Sequence, residues 1–153
     1  MPYRLPVWLF SVLLLMVNAG CGKPPAKVYP ATSPVSGSLL VDGVPAIRAR
    51  IVFHPVAPGP DGKVHGPSAS TDDNGSFRLT TFSAYDGAPP GEYKVTIVAE
   101  WVDQKGVDVG VPDLLKGRYR DPKTTPLTIT VKEGENDLEQ FDLKSESEGD
   151  PAK

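Results

Sequence analysis

The sequence predicts an all-β fold, an antiparallel sandwich, on three observations. Apolar and polar residues alternate with period two in successive runs between Val35 and Leu143, turn-favouring residues separate the runs, and no segment there keeps a period of 3.6 for three turns. Six clear strands and one weaker strand joined by turns are best buried as two sheets packed face to face.

The elements follow in chain order. Val35, Leu39 and Val41 alternate with Ser36, Ser38 and Leu40, and Asp42-Gly43 then signals a hairpin, because both positions tolerate positive φ. Ile47, Ala49, Ile51 and Phe53 share one face of the next run, with Arg48 and Arg50 on the other, the pattern of a half-buried strand. His65 to Thr71 is the weaker strand, closed by Asp72-Asp73-Asn74-Gly75, after which Phe77 and Leu79 alternate with Arg78 and Thr80. Pro89-Pro90-Gly91 turns the chain into its clearest strand, where Tyr93, Val95, Ile97 and Ala99 face inward and Lys94, Thr96, Val98 and Glu100 outward. Leu127, Ile129 and Val131 form the next run, Glu133-Gly134-Glu135-Asn136 turns it, and Leu138, Phe141 and Leu143 close the sandwich. The step of three from Leu138 to Phe141 breaks the period and predicts a bulge.

Length and composition narrow the function. At 153 residues the chain holds a single domain, and its one cysteine excludes a disulfide framework and a cysteine-rich zinc site. With 16 basic residues diluted by 19 acidic ones, for a net charge of −3, it lacks the clustered cations of a nucleic-acid binder. The 17 prolines and 15 glycines fall largely between the alternating runs and in the proline-rich stretch before them.

The N-terminus reads as an export signal over residues 1–20. Arg4 supplies the positive charge, Val7 to Val17 is an apolar run too short to span a membrane as a helix, and Ala19-Gly20-Cys21 follows. The small residues before the only cysteine resemble the lipobox of bacterial lipoproteins. That resemblance implies cleavage between Gly20 and Cys21, a diacylglyceryl group on Cys21, and a lipid-anchored protein of the cell envelope. Gly22 after the cysteine resembles the pattern that permits transport to the outer membrane. Asn18 departs from the leucine most often found three residues before the cysteine, and an ordinary secretory signal with an incidental cysteine is the alternative. Residues 21–34, with four prolines after the cysteine, read as a semi-extended tether, and 145–153 as a polar, acidic, disordered tail.

Three strings carry a second resemblance: Val35 to Ala46, Thr71 to Phe77, and Pro89 to Ile97. They are similar to the carboxypeptidase regulatory-like domains, and Tyr119 to Leu127 with Gly134-Glu135-Asn136 resembles small bacterial lipoproteins built from one such domain. The resemblance covers roughly residues 35–143, within a domain expected over 35–144. It implies a seven-stranded Greek-key β-sandwich, transthyretin-like, and its motifs are turn and strand signatures that say little about chemistry.

No catalytic set, metal site or cofactor is expected. His54 ends a strand on its polar face and His65 lies in a Gly/Pro-rich connection, so both read as exposed surface histidines. Asp72-Asp73-Asn74-Gly75 offers oxygen ligands, but an EF-hand would need an acidic twelfth residue where Ser83 stands, and the same residues suit a tight turn. The family's hydrolases of 5-hydroxyisourate end in Tyr-Arg-Gly-Ser, whereas Tyr119-Arg120 here continues into Asp121-Pro122 and the chain ends Pro-Ala-Lys. Trp101 leaves the strongest strand and enters a long connection reaching Lys123. With Tyr85 and Tyr119 it is the candidate surface for a carbohydrate or peptide, the alternative being that these aromatics cap the core. The leading expectation is a non-enzymatic, membrane-anchored interaction or structural module with an envelope-protein or glycan partner and no nucleic-acid partner. In the connection, Leu114 and Leu115 are expected to fold back as a cover.

Overall fold

A computed structural model describes residues 29–100 and 113–145. The signal peptide, the Gly20–Cys21 junction with its lipidation residue, the start of the tether, Trp101 with the first part of its loop, and the tail after Ser145 lie outside the described residues.

The described residues are all-β. In chain order the strands are β1 (Val35–Val41), β2 (Val44–Pro45), β3 (Arg50–Pro55), β4 (Ser68–Ser70) and β5 (Ser76–Arg78). They continue with β6 (Gly91–Val98), β7 (Thr128–Val131), β8 (Asn136–Asp137) and β9 (Phe141–Leu143). One sheet is built around β1, with β2 and β5 antiparallel to it along one side and β8 and β9 parallel to it along the other. The second runs β4-β3-β6-β7 and is antiparallel throughout. The pairing is therefore mostly antiparallel, and the parallel return along β1 departs from the fully antiparallel expectation. Its cause is the turn after β7, which is no hairpin: β7 pairs with β6 and β8 with β1, so the turn carries the chain from one sheet to the other. Asn136 holds that crossing, its side-chain oxygen accepting the Lys132 N–H (2.9 Å) and its amide donating to the Lys132 and Gly134 carbonyls (2.9 Å each).

The hairpin signal at Asp42-Gly43 is met. Both residues have positive φ, 54° and 79°, and Val41 pairs with Val44 across the turn. The weaker strand within 65–71 is β4. The broken period near the C-terminus is an interruption between β8 and β9, spanned by the Leu138 N–H on the Ser36 carbonyl (2.9 Å).

The two sheets close over a core in which Leu39, Ile51, Phe53, Leu79, Val95 and Ile97 are fully buried. Ile47 is a correction: expected inside, it is 39% exposed. Thr71 is the reason. Its hydroxyl donates to the Ala46 carbonyl (2.5 Å) and accepts the Ala49 N–H (2.8 Å), while its carbonyl accepts the N–H of Arg48, which has φ 56°. The bend so held turns both alanines inward and Ile47 outward, and β3 starts only at Arg50. Leu127, Ile129 and Leu138 are half-buried against the core rather than within it. Leu115 is fully buried and Leu114 packs beside it, so this part of the connection does cover the sandwich. Asp113 anchors the cover by accepting the N–H groups of Ala99, Leu115 and Gly117 (3.2, 3.1 and 3.0 Å).

At both ends the expected domain limits, Val35 and Lys144, fall short of the contacts. Ser33 and Ala88 exchange two backbone hydrogen bonds (2.8 and 3.0 Å), and Tyr29 stacks on Phe82 with ring centroids 4.4 Å apart. The last described residues of the expected tether thus lie on the domain. At the other end Ser145 donates its N–H to the Asp42 carboxylate (3.0 Å), and its hydrogen bonds hold that carboxyl below its ordinary pKa.

Candidate functional site

One side of the sandwich is continuous. Ser68 and Thr80 exchange backbone hydrogen bonds (3.0 and 2.9 Å), joining β4 to the residues that follow β5 and so linking the two sheets. The outward faces of β1, β5, β4 and β3 consequently form one surface, which encloses a groove of about 1130 Å³.

Period-two alternation accounts for most of its polar lining, to which Ala69 and Phe77 add apolar surface. Residues alternating with buried Val35, Leu39, Ile51, Phe77 and Leu79 must face out, and here they carry hydroxyls: Ser36, Ser38, Ser68, Ser70, Ser76 and Thr80. Arg50 and Arg78 rise from the same surface, with Tyr85 as its aromatic wall. The Arg78 guanidinium lies 4.1 Å from the centroid of the Tyr85 ring, a cation–π contact that braces one side chain on the other. The Tyr85 backbone is equally constrained. It has φ 60°, its N–H donates to the Thr80 hydroxyl (3.0 Å), and Asp86 beside it accepts the N–H groups of Thr81, Phe82 and Ser83 (2.7, 3.0 and 3.0 Å). Tyr85 nevertheless remains 58% exposed, so a fixed ring is presented to solvent.

The groove also contains two carboxylates, each committed locally. One Asp72 oxygen accepts the N–H groups of Asn74 and Ser76 (2.9 Å each), which makes Asp72-Asp73-Asn74-Gly75 a side-chain-capped turn, completed by Gly75 at φ 75°. Asp137 accepts the Ser36 hydroxyl at 3.4 Å. Among the described residues no group of three or more His, Cys, Asp or Glu side chains is placed to hold a metal.

The three candidate aromatics do not form one surface among the described residues. Tyr119 lies along the opposite edge of the second sheet, its carbonyl accepting the Ile97 N–H (2.8 Å) and its ring partly buried against the core. With β3 and β6 between them, that edge is about 14 Å from β4 at roughly 4.8 Å per strand. Trp101 lies outside the described residues. Tyr85 is thus the sequence candidate that reaches the groove, while Arg50 and Arg78 were read only as the polar face of their strands. The available signal was the recurrence of Ser and Arg at alternate positions on four separate segments, which alternation alone cannot assign to one surface.

Both histidines are half-buried and bonded, where exposed surface positions were expected. His54 Nε2 lies 2.8 Å from the Thr96 hydroxyl, and burial pushes its pKa below the ordinary histidine value. His65 Nε2 lies 2.8 Å from an Asp61 carboxylate oxygen, a contact that lowers the Asp61 pKa, and its ring meets Phe82 edge-on at 4.8 Å.

No protein-family model and no curated protein matches the chain. Among solved structures it is similar to a 9R-lipoxygenase from Cyanothece PCC8801, at 14% identity and a TM-score of 0.39. That similarity covers 79% of this chain but only 18% of the lipoxygenase, and likeness at this level carries no functional argument.

Proposed function

We propose that this chain is a lipid-anchored protein of the cell envelope, most simply of the outer membrane, whose domain is a non-enzymatic interaction or structural module. The observation that carries the proposal is the only cysteine of the chain, Cys21, placed directly after Ala19-Gly20 at the end of an apolar run and before a proline-rich segment. Two or three acyl chains there would make membrane attachment effectively permanent, at about 0.8 kcal/mol per buried methylene. In the same proposal the domain is a seven-stranded Greek-key sandwich of the transthyretin-like, carboxypeptidase regulatory-like kind. The strand count supports this if β8 and β9 are one interrupted strand and β2 is the return of its hairpin. The module reading draws support from the tasks already assigned to titratable groups: Asp72, Asp86 and Asp113 cap backbone N–H groups, and each histidine holds a neighbouring side chain.

Labelled palmitate fed to expressing cells tests the anchor. Wild type is expected to take up label and sediment with membranes, and Cys21→Ala to do neither. An unlabelled wild type, or equal label in the variant, overturns the proposal.

A second reading, carbohydrate binding by the module, is favoured by one observation: the exposed, braced Tyr85 ring sits at the wall of a hydroxyl-lined groove. A glycan array answers it, with binding expected for wild type and lost in Tyr85→Ala.

A further inference from the structure

The outward side chains fall into cross-strand rows. Asp137, Ser36 and Arg78 are successive partners across β8, β1 and β5, and Ser70 partners Arg50 across β4 and β3. The antiparallel Ser68↔Thr80 bridge ties β4 to the residues after β5, and Ser70, Arg50 and Arg78 all line the one groove. One arginine from β3 and one from β5 thus line the groove on either side of β4.

Neither arginine has a carboxylate within ion-pair distance among the described residues. Arg78 rests on the uncharged Tyr85 ring, and no side-chain partner holds the exposed Arg50. Asp137, at the far end of the row, is across β1 from Arg78. The β3–β4–β5 end of the groove thus joins three recognition elements: a fixed aromatic face, closely spaced hydroxyls, and two forked cations. An apolar sugar-ring face fits the first, sugar hydroxyls and ring oxygens the second, and carboxylates the third. A peptide is the poorer fit. An acidic peptide such as poly-glutamate answers the two cations but presents no apolar ring face to Tyr85.

We propose that this groove binds an acidic polysaccharide, a chain containing uronic acid residues, with one sugar ring on Tyr85 and carboxylates on Arg78 and Arg50. The proposal rests on the carbohydrate-binding reading above and is independent of the lipid anchor.

The test is calorimetric titration of the full chain in detergent. The probes are oligogalacturonate, oligomannuronate and hyaluronan fragments, each beside its carboxyl-reduced neutral counterpart, with poly-glutamate as the peptide arm. At least one acidic oligosaccharide should bind, weaken as salt is raised, and exceed its neutral counterpart by tenfold or more. Arg50→Gln and Arg78→Gln should each lower affinity about 10- to 100-fold, the range for a lost charge-assisted hydrogen bond, with the thermal midpoint of Arg50→Gln unchanged. Arg50→Lys should recover only part of the loss, because it keeps charge without the fork. Equal binding of the neutral counterparts overturns the acidic-ligand proposal and leaves carbohydrate binding standing. Failure of every oligosaccharide to bind overturns both. Equally tight binding of poly-glutamate, or arginine variants that bind like wild type, also overturns the proposal.

Discussion

Gly87 allows the docking of residues 33–34 on the domain to be tested with a single methyl group. Its φ is +83°, and a Cβ built on it would lie 1.8 Å from the Ser33 carbonyl oxygen, 2.5 Å from the Ser33 carbonyl carbon and 2.7 Å from the Pro34 Cα. These are backbone atoms, so no side-chain rotation relieves the clash. Gly43 is the matched control: φ is +79°, but nothing lies within 4 Å of its built Cβ. Gly43→Ala should therefore cost only the left-handed conformation of a residue with a side chain, about 1–2 kcal/mol. Gly87→Ala should pay that cost and also push Ser33 away, losing both hydrogen bonds to Ala88 at about 0.5–1.5 kcal/mol each, for about 2–5 kcal/mol in all. The assay is urea denaturation of the full chain followed by far-UV circular dichroism, with amide hydrogen exchange at Ser33 and Ala88 as the local readout. Gly87→Ala should shift the midpoint clearly more than Gly43→Ala and lose protection at both amides. Equal shifts with protection retained would refute the docking of this segment.

Thr71→Val removes a buried hydroxyl that both accepts the Ala49 N–H and donates to the Ala46 carbonyl, leaving two buried groups unpaired; about 2–4 kcal/mol should be lost in the same denaturation assay. His54 gives a pH signature. Burial holds its folded pKa below the ordinary histidine value of 6.5, so the unfolded chain binds the proton more readily, and His54 contributes stability that is complete above that value and declines as pH falls below it. His54→Gln should flatten this part of the stability–pH curve, and an NMR titration of His54 showing a pKa at or above 6.5 would contradict the sign. At Asp61 the His65 contact holds the carboxyl below the ordinary aspartate value of 3.8, so NMR of His65→Ala should show the Asp61 pKa moving up toward that value.

The fold was legible where local pattern suffices. Tyr93, Val95, Ile97 and Ala99 were assigned inward by alternation alone and are buried, and Asp42-Gly43 makes its hairpin because positive φ is a property of those two residues. Ile47 defeated the same reasoning, since it continues the alternation perfectly and is turned outward by hydrogen bonds to Thr71, a residue 24 positions away in sequence. The candidate site was legible in one residue, Tyr85. Arg50, Arg78 and the serines read as an ordinary solvated face because the pattern of one strand does not name its neighbour.

The amino-acid sequence by itself determined that this chain is built of strands, which side of most strands is apolar, and where most turns fall, because backbone geometry and side-chain burial repeat over a few residues. Only the tertiary structure decided that β8 and β9 return parallel to β1, that Ile47 turns outward, and that Ser68 meets Thr80 to bring two arginines, a row of hydroxyls and Tyr85 onto one surface. Those outcomes depend on pairings between distant segments, chosen by closure of the whole core and not by the preferences of any one strand.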